Sequence, residues 1–239
     1  MMSMNPRFYS RVKQAGIRFE HVAEVGVYHP DTSNIYGFVM DGVRATLVEP
    51  EPNSIRLIRE RFGERENMTL HTCALADAEG EVEFCHRESS TFLASLDCSP
   101  AIVNDRYEKS TGDMFTARAV TFDQIDDGSI DILSIDTEGS EWYVLKHMVS
   151  RPKVISLETH GGAYRNPYRD EITQWMRGNS YLLWYKDSSD SVYVRTGHVQ
   201  VTIWDRVGVM MANLRILGES LRKRLSNRLK SHKRQARTQ

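Results

Sequence analysis

The chain has 239 residues, 40% of them hydrophobic and 26% charged, with a formal net charge of −1. That length makes one α/β domain, or a domain with an appendage, large enough to bury a core without staples. The near-zero charge excludes a strong overall pull toward nucleic acid. Three cysteines, Cys73, Cys85 and Cys98, show neither CxxC pairing nor zinc spacing and read as reduced thiols of a cytoplasmic protein. No signal segment and no apolar run of the ~20 residues that a membrane span needs is present in the sequence given.

In chain order, residues 1–20 are expected to form an N-terminal helical segment. His21–Val27 is an apolar, β-branched strand that reaches Gly26. Pro30 suits the first turn of a helix, where its missing N–H is no loss, and residues 34–40 can be helical. A second strand, Arg44–Val48, stops at Glu49-Pro50-Glu51-Pro52. A helix over 53–62 follows, burying Ile55, Leu57, Ile58 and Phe62. Met68–Cys73 is a third strand, and the alternation of Glu81–Cys85 predicts a strand returning across the sheet.

Residues 86–118 have weak periodicity and read as a long connection with local helix. Structure resumes at Ala119–Phe122. Ile130–Ile135 is a buried strand ending in Asp136-Thr137-Glu138-Gly139-Ser140-Glu141, and 142–148 continues as a helix. Val154–Leu157, another buried strand, ends in Glu158-Thr159-His160-Gly161-Gly162. A helix over 169–176 and strands near 181–185 and 191–194 close a domain spanning 21–205.

Strands alternating with helices imply a doubly wound, mostly parallel seven-stranded sheet. Such sheets bind ligands at the carboxyl ends of their strands. Those ends carry Gly26, Glu49, Cys73-Ala74, Asp136 and Glu158–His160. A carboxylate at Glu49 can accept from both hydroxyls of a ribose, and Gly26 lets a nucleoside approach the backbone. NAD-binding folds share that pair, so alone it does not choose between them.

The decisive segment is Asp136–Glu141, where three carboxylates and a glycine leave a buried strand together. "IDILSIDTEGSEWYVLKHM", "LVEPEPN" and "CALADAEGEVEF" resemble, in order and spacing, the motifs of FkbM-family methyltransferases over roughly residues 20–195. The resemblance implies a Rossmann-like class I fold and S-adenosylmethionine as cofactor. It puts Glu24 and Gly26 at the methionine part, with Val27 and Tyr28 beside it. Glu49 would hold the ribose, Pro50 would pack near the adenine, and Ala74, Leu75 and Asp77 would frame the ring. Asp136 would lie where methyl meets acceptor. The family's first motif is similar to D-x-G-A-N-x-G-x-x-S, whereas this chain has Tyr28 at the Asn position and Pro30 at the second Gly. The turn is expected to take a different course.

Methylating an alcohol oxygen calls for a base or a metal near the methyl group. Asp136, Glu158 and His160 end neighbouring strands; His160 is the first choice of base, with a capping role as its alternative. Asp136 and Glu158, with Glu138, would suit Mg²⁺ or Mn²⁺. Glu138 and Glu141 also fit a plain role at a helix N-terminus. The expected reaction is O-methylation, of a sugar hydroxyl in a surface polysaccharide or glycolipid, or of a small natural product. A non-catalytic adaptor on the same fold is the alternative. A nicotinamide-dependent oxidoreductase is disfavoured by the lack of GxGxxG.

Residues 206–239 form a separate tail, with no acid after Glu219 and eight Lys or Arg from Arg222 to Arg237. Met210, Leu214, Leu217, Leu221, Leu225 and Leu229 recur at three- and four-residue spacing, an amphipathic helix with a basic face. It fits packing on the domain or on a second subunit of a homo-oligomer. It equally fits peripheral contact with the inner face of an anionic membrane. Nucleic acid is disfavoured, because aromatic residues are not interleaved with the basic ones.

Overall fold

The computed structural model describes residues 6–87 and 90–235. The start of the expected N-terminal segment and the last four residues of the expected tail lie outside them. Helix α1 (Pro6–Gln14) buries Phe8 and Val12 against Phe38 of α2 (Tyr36–Met40). Strand β1 (His21–Val25) is buried along its whole length. Pro30 opens a 3-10 turn, Pro30–Thr32, whose His29 cap accepts from the Asp31 amide at 3.3 Å.

After β2 (Arg44–Val48), α3 (Pro52–Phe62) starts on the cap that the sequence supplies. The Glu51 carboxylate accepts from the amides of Asn53 and Ser54, and Pro52 takes a first-turn position. Ser54, Ile58 and Phe62, four residues apart, form the buried edge, and Gly63 at φ 66° ends the helix.

The main sheet continues with β3 (Met68–His71), β8 (Ile132–Ile135), β9 (Val154–Glu158), β12 (Tyr181–Lys186) and β13 (Asp190–Arg195). Its order is β12-β13-β9-β8-β1-β2-β3. The five strands β3, β2, β1, β8 and β9 run parallel, and β13 is antiparallel to both its neighbours. This is the expected seven-stranded α/β sheet. Alternate residues feed two cores: Val22, Leu47, Ile132 and Val192 face α1 to α3. Ala23, Val25, Leu133, Ile135 and Ile155 face α4 (Glu141–Lys146) and α5 (Arg169–Gly178).

The return of Glu81–Cys85 across this sheet does not occur. Strand β5 (Gly80–Cys85) instead joins β4 (Ala74–Leu75), β6 (Phe92–Leu93) and β7 (Met114–Val120) in a second sheet, ordered β4-β7-β5-β6. Phe84, Cys85, Phe92 and Leu93 give it a small core of its own. That pairing also makes the last five residues of the expected 86–118 connection part of β7. Before it come a π-helical turn at Ala101–Asp105 and a 3-10 turn at Thr111–Asp113.

The short hairpin β10 (His160–Gly161) and β11 (Tyr164–Arg165) follows β9. Helix α6 (Ile203–Gln235) has 33 residues and packs on β12. No helix among the described residues is long and apolar enough to cross a membrane.

Candidate active site

A cavity of about 280 Å³ opens at the carboxyl ends of β1, β2 and β8, with Phe84 of the second sheet and Thr91, just before β6, among its walls. Glu24, Gly26, Val27, Tyr28, Glu49, Pro50, Ala74, Leu75 and Asp136 all line it. Nine residues expected from separate strand ends therefore share one hollow.

Gly26 is dictated by geometry. Its φ is 79°, and a Cβ there would lie 1.8 Å from the carbonyl oxygen of Asp136. Adjacent parallel strands β1 and β8 thus close over a residue without a side chain. Tyr28 follows at φ 50°, a left-handed conformation that Asn adopts at less cost. Glu138 has φ 56° and also lines the cavity. Two strained non-glycine residues on one wall fit the clustering of backbone strain at functional sites.

Glu49 anchors the Gly26–Tyr28 turn. Its Oε2 accepts from the amides of Val27 at 2.8 Å and Tyr28 at 2.9 Å, and its Oε1 from the Glu51 amide at 3.0 Å. A carboxylate offers about four lone-pair sites, so about one remains for a ligand. Glu49 as it stands accommodates one ribose hydroxyl, where the sequence suggested two. Burial raises its pKa against the pull of those three amides.

Glu24 accepts from the Ser33 hydroxyl and from the Asn34 amide at 2.9 Å, and burial pushes its carboxyl up to about 7. Asn34 extends the network, donating through Nδ2 to Ser134 Oγ at 2.9 Å and Asp190 Oδ2 at 3.3 Å. Asp190, also held by Ser156 and Ser189, is pushed to about 6 by burial and by Asp187.

Beside this network the acidic turn meets β9. Among the described residues, six buried side-chain oxygens have no hydrogen-bond partner; five are Asp136 Oδ1, Thr137 Oγ1, Glu138 Oε2, Glu158 Oε2 and the Tyr164 hydroxyl. One carboxylate oxygen each from Asp136, Glu138 and Glu158 lie within 4.8 Å of one another. Burial first, then the neighbouring acids, holds Asp136 and Glu158 well above the usual carboxylate range; burial, then Glu141 and Asp105, pushes Glu138 up to about 8. Tyr164 is fully buried, with Glu141, Glu158 and Glu138 raising its pKa further after burial.

Glu141 differs from its neighbours. Its Oε1 accepts from the amides of Thr137 at 3.0 Å and Gly139 at 3.1 Å, and its Oε2 from Asn166 Nδ2. It shapes the turn, whereas the three unpartnered acids are left to take up protons or a cation.

The structure does not bring Asp77 or His160 to the cavity. Asp77 is half exposed, paired with Lys146 and 3.2 Å from His147 Nε2. His160 is buried in the β10 hairpin, its ring nitrogens against Thr159 Oγ1 at 2.9 Å and the Asp187 carbonyl at 3.3 Å. Burial, then Lys186, lowers its pKa to about 4. Glu158 is the last residue of β9 and reaches the acid cluster, whereas His160, two residues on, belongs to the β10–β11 hairpin, which turns it away from that strand end. Asn34, Asp190 and Tyr164 escaped the sequence reading. Asp190 meets Glu158 only through the antiparallel β13–β9 register, which no local pattern announces.

The profile of the methyltransferase FkbM domain matches residues 22–183. No curated protein matches the sequence. Among solved structures, the methyltransferase domain of bacterial CtHen1 is 8% identical, with a TM-score of 0.43 over 79% of this chain and 95% of that one. TrmK of M. capricolum with S-adenosyl-homocysteine is 9% identical, with a TM-score of 0.40 over 83% of this chain and 71% of that one. The glycopeptide N-methyltransferase MtfA with sinefungin is 10% identical, with a TM-score of 0.40 over 82% and 88%.

Proposed function

The chain belongs to the FkbM methyltransferase family, and on that premise we propose that it transfers a methyl group from S-adenosylmethionine to a hydroxyl oxygen. The acceptor we propose is a sugar of a surface polysaccharide or glycolipid, a choice that follows the family's association with polysaccharide biosynthesis. The observation that carries the oxygen chemistry is the set of buried, unpartnered acid oxygens of Asp136, Glu138 and Glu158 next to the cavity.

The cavity suits the cofactor: a hollow at the strand ends, near the lower limit for small-molecule sites. Gly26 leaves room against the backbone, and Glu49 keeps an acceptor site free. Bound there, S-adenosylmethionine supplies an electrophilic methyl group. Glu49 would take a ribose hydroxyl, Glu24 and Asp136 would face the cationic end, and Ala74, Leu75 and Pro50 would cover the base.

An oxygen-only donor set also suits a hard divalent cation, Mg²⁺ or Mn²⁺. Asp136 and Glu158 would hold it, and it would supply positive charge that lowers the pKa of an acceptor hydroxyl. As the methyl group moved from sulfur to the acceptor oxygen, leaving S-adenosylhomocysteine, the hydroxyl proton would pass to a carboxylate. Glu138 is the assigned base, because it lines the cavity and its Oε2 lacks a partner. Substrate alignment does the rest.

The test is methyl transfer from S-adenosylmethionine to a panel of sugar hydroxyls and amines, with and without Mg²⁺. Methylation of oxygen that Glu138→Gln abolishes supports this reading. Transfer to amines alone, or unchanged turnover in that variant, overturns it.

A further inference from the structure

Helix α6 carries two opposite faces. One turns to the domain: Ile216 and Ser220 are buried, Arg165 Nη2 donates to the Ile216 carbonyl at 3.1 Å, and Asp205 pairs with Arg11 at 2.9 Å. At about 100° per residue, the apolar positions 203, 207, 210, 214, 217 and 221 fall on the other side. There Ile203 is 67% exposed, Leu214 58% and Leu221 52%, with Trp204 at 78% and Met211 at 58% along the edge. An uninterrupted apolar stripe this long exceeds the scattered hydrophobics of an ordinary surface.

Charge identifies what covers it. Over residues 203–235 the sequence has nine Lys or Arg against two acids, and none of the acids follows Glu219. Both acids are already engaged, Asp205 by Arg11 and Glu219 by Arg215 at 3.7 Å. A second copy of α6 would meet the first with like charge and offer no spare carboxylate. Single-stranded nucleic acid would want stacking aromatics, and none follows Trp204 in the helix. A stripe of Trp, Met and Leu bordered by Arg206 and Arg222 matches an anionic lipid surface, into which such a helix sinks its apolar side.

We propose that the outward face of α6 docks the protein on an anionic phospholipid surface, the helix lying along it and the domain held on the far side. At 33 residues the helix is roughly 50 Å long, enough for a flat contact. Because the stripe faces away from the domain, docking leaves the packing of Ile216 and the cavity untouched. The proposal stands independently of the methyl acceptor.

The test is co-sedimentation of the full chain with phosphatidylcholine vesicles, with and without phosphatidylglycerol, at low and high salt. A double variant, Met211→Glu with Leu214→Glu, is compared at matched melting temperature and S-adenosylhomocysteine affinity. The expected result is binding to the anionic vesicles only, weakened by salt and reduced about tenfold or more in the variant. Equal sedimentation of the two proteins overturns the proposal. So does a dimer in analytical ultracentrifugation that the variant dissolves, since the stripe would then be a seam between copies. RNA binding in the absence of vesicle binding overturns it as well.

Discussion

The α-carbon of Gly26 stands so close to the Asp136 carbonyl that an added methyl group would lie 1.8 Å from that oxygen. The obstacle is backbone, so no rotamer relieves it. Gly26→Ala is expected to part β1 from β8, cost about 3 kcal/mol or more and abolish cofactor binding. Thermal melting with S-adenosylhomocysteine titration checks both; a variant that melts and binds like the parent would remove this contact from the account.

Glu49 should matter twice. Removing its carboxylate in Glu49→Ala strands the amides of Val27, Tyr28 and Glu51, each orphaned donor costing about 1–3 kcal/mol. Glu49→Gln keeps an acceptor oxygen, so stability is expected to fall less while cofactor affinity still drops by about tenfold or more. Calorimetry on the two variants separates turn support from ribose binding; equal affinity in parent and Gln variant would deny Glu49 the second role.

Stability should depend on pH through Glu24. Its folded pKa is raised from 4.5 to about 7, so the fold favours the protonated form. That contribution is fully present below 4.5 and is lost as pH climbs to about 7, a change of about 3 kcal/mol, with Asp190 adding in the same direction. Glu24→Gln, neutral throughout, is expected to flatten the fall in melting temperature between those limits. An unchanged slope would assign the effect elsewhere.

His160 offers a contrast with the acid cluster. Its ring is tied to Thr159 and the Asp187 carbonyl, outside the cavity. His160→Gln is therefore expected to keep cofactor affinity and to retain turnover within a few-fold, its effect confined to stability. A loss of turnover with binding intact, and a changed pH–rate profile, would return His160 to the chemistry.

The legible part of the sequence was whatever local pattern encodes. Apolar strands ending in Gly26, Glu49 and Asp136 give the parallel sheet and eight of the nine expected cavity-lining positions beside Asp136, because strand ends converge in a doubly wound fold. Glu81–Cys85 misled because alternation reports one solvated face without naming the partner, and its partner is β7 in a separate sheet. His160 misled because two residues on β9's end look equivalent until the hairpin turns one away. Asn34, Asp190 and Tyr164 join the site through register and packing, which single-sequence patterns do not carry.

The most direct measurement is calorimetric titration of S-adenosylhomocysteine into the full chain, with and without Mg²⁺, with NADH as control. The account predicts one site for S-adenosylhomocysteine, lost in Gly26→Ala, none for NADH, and Mg²⁺ uptake that Asp136→Asn with Glu158→Gln removes. Failure to bind S-adenosylhomocysteine under either condition would contradict it.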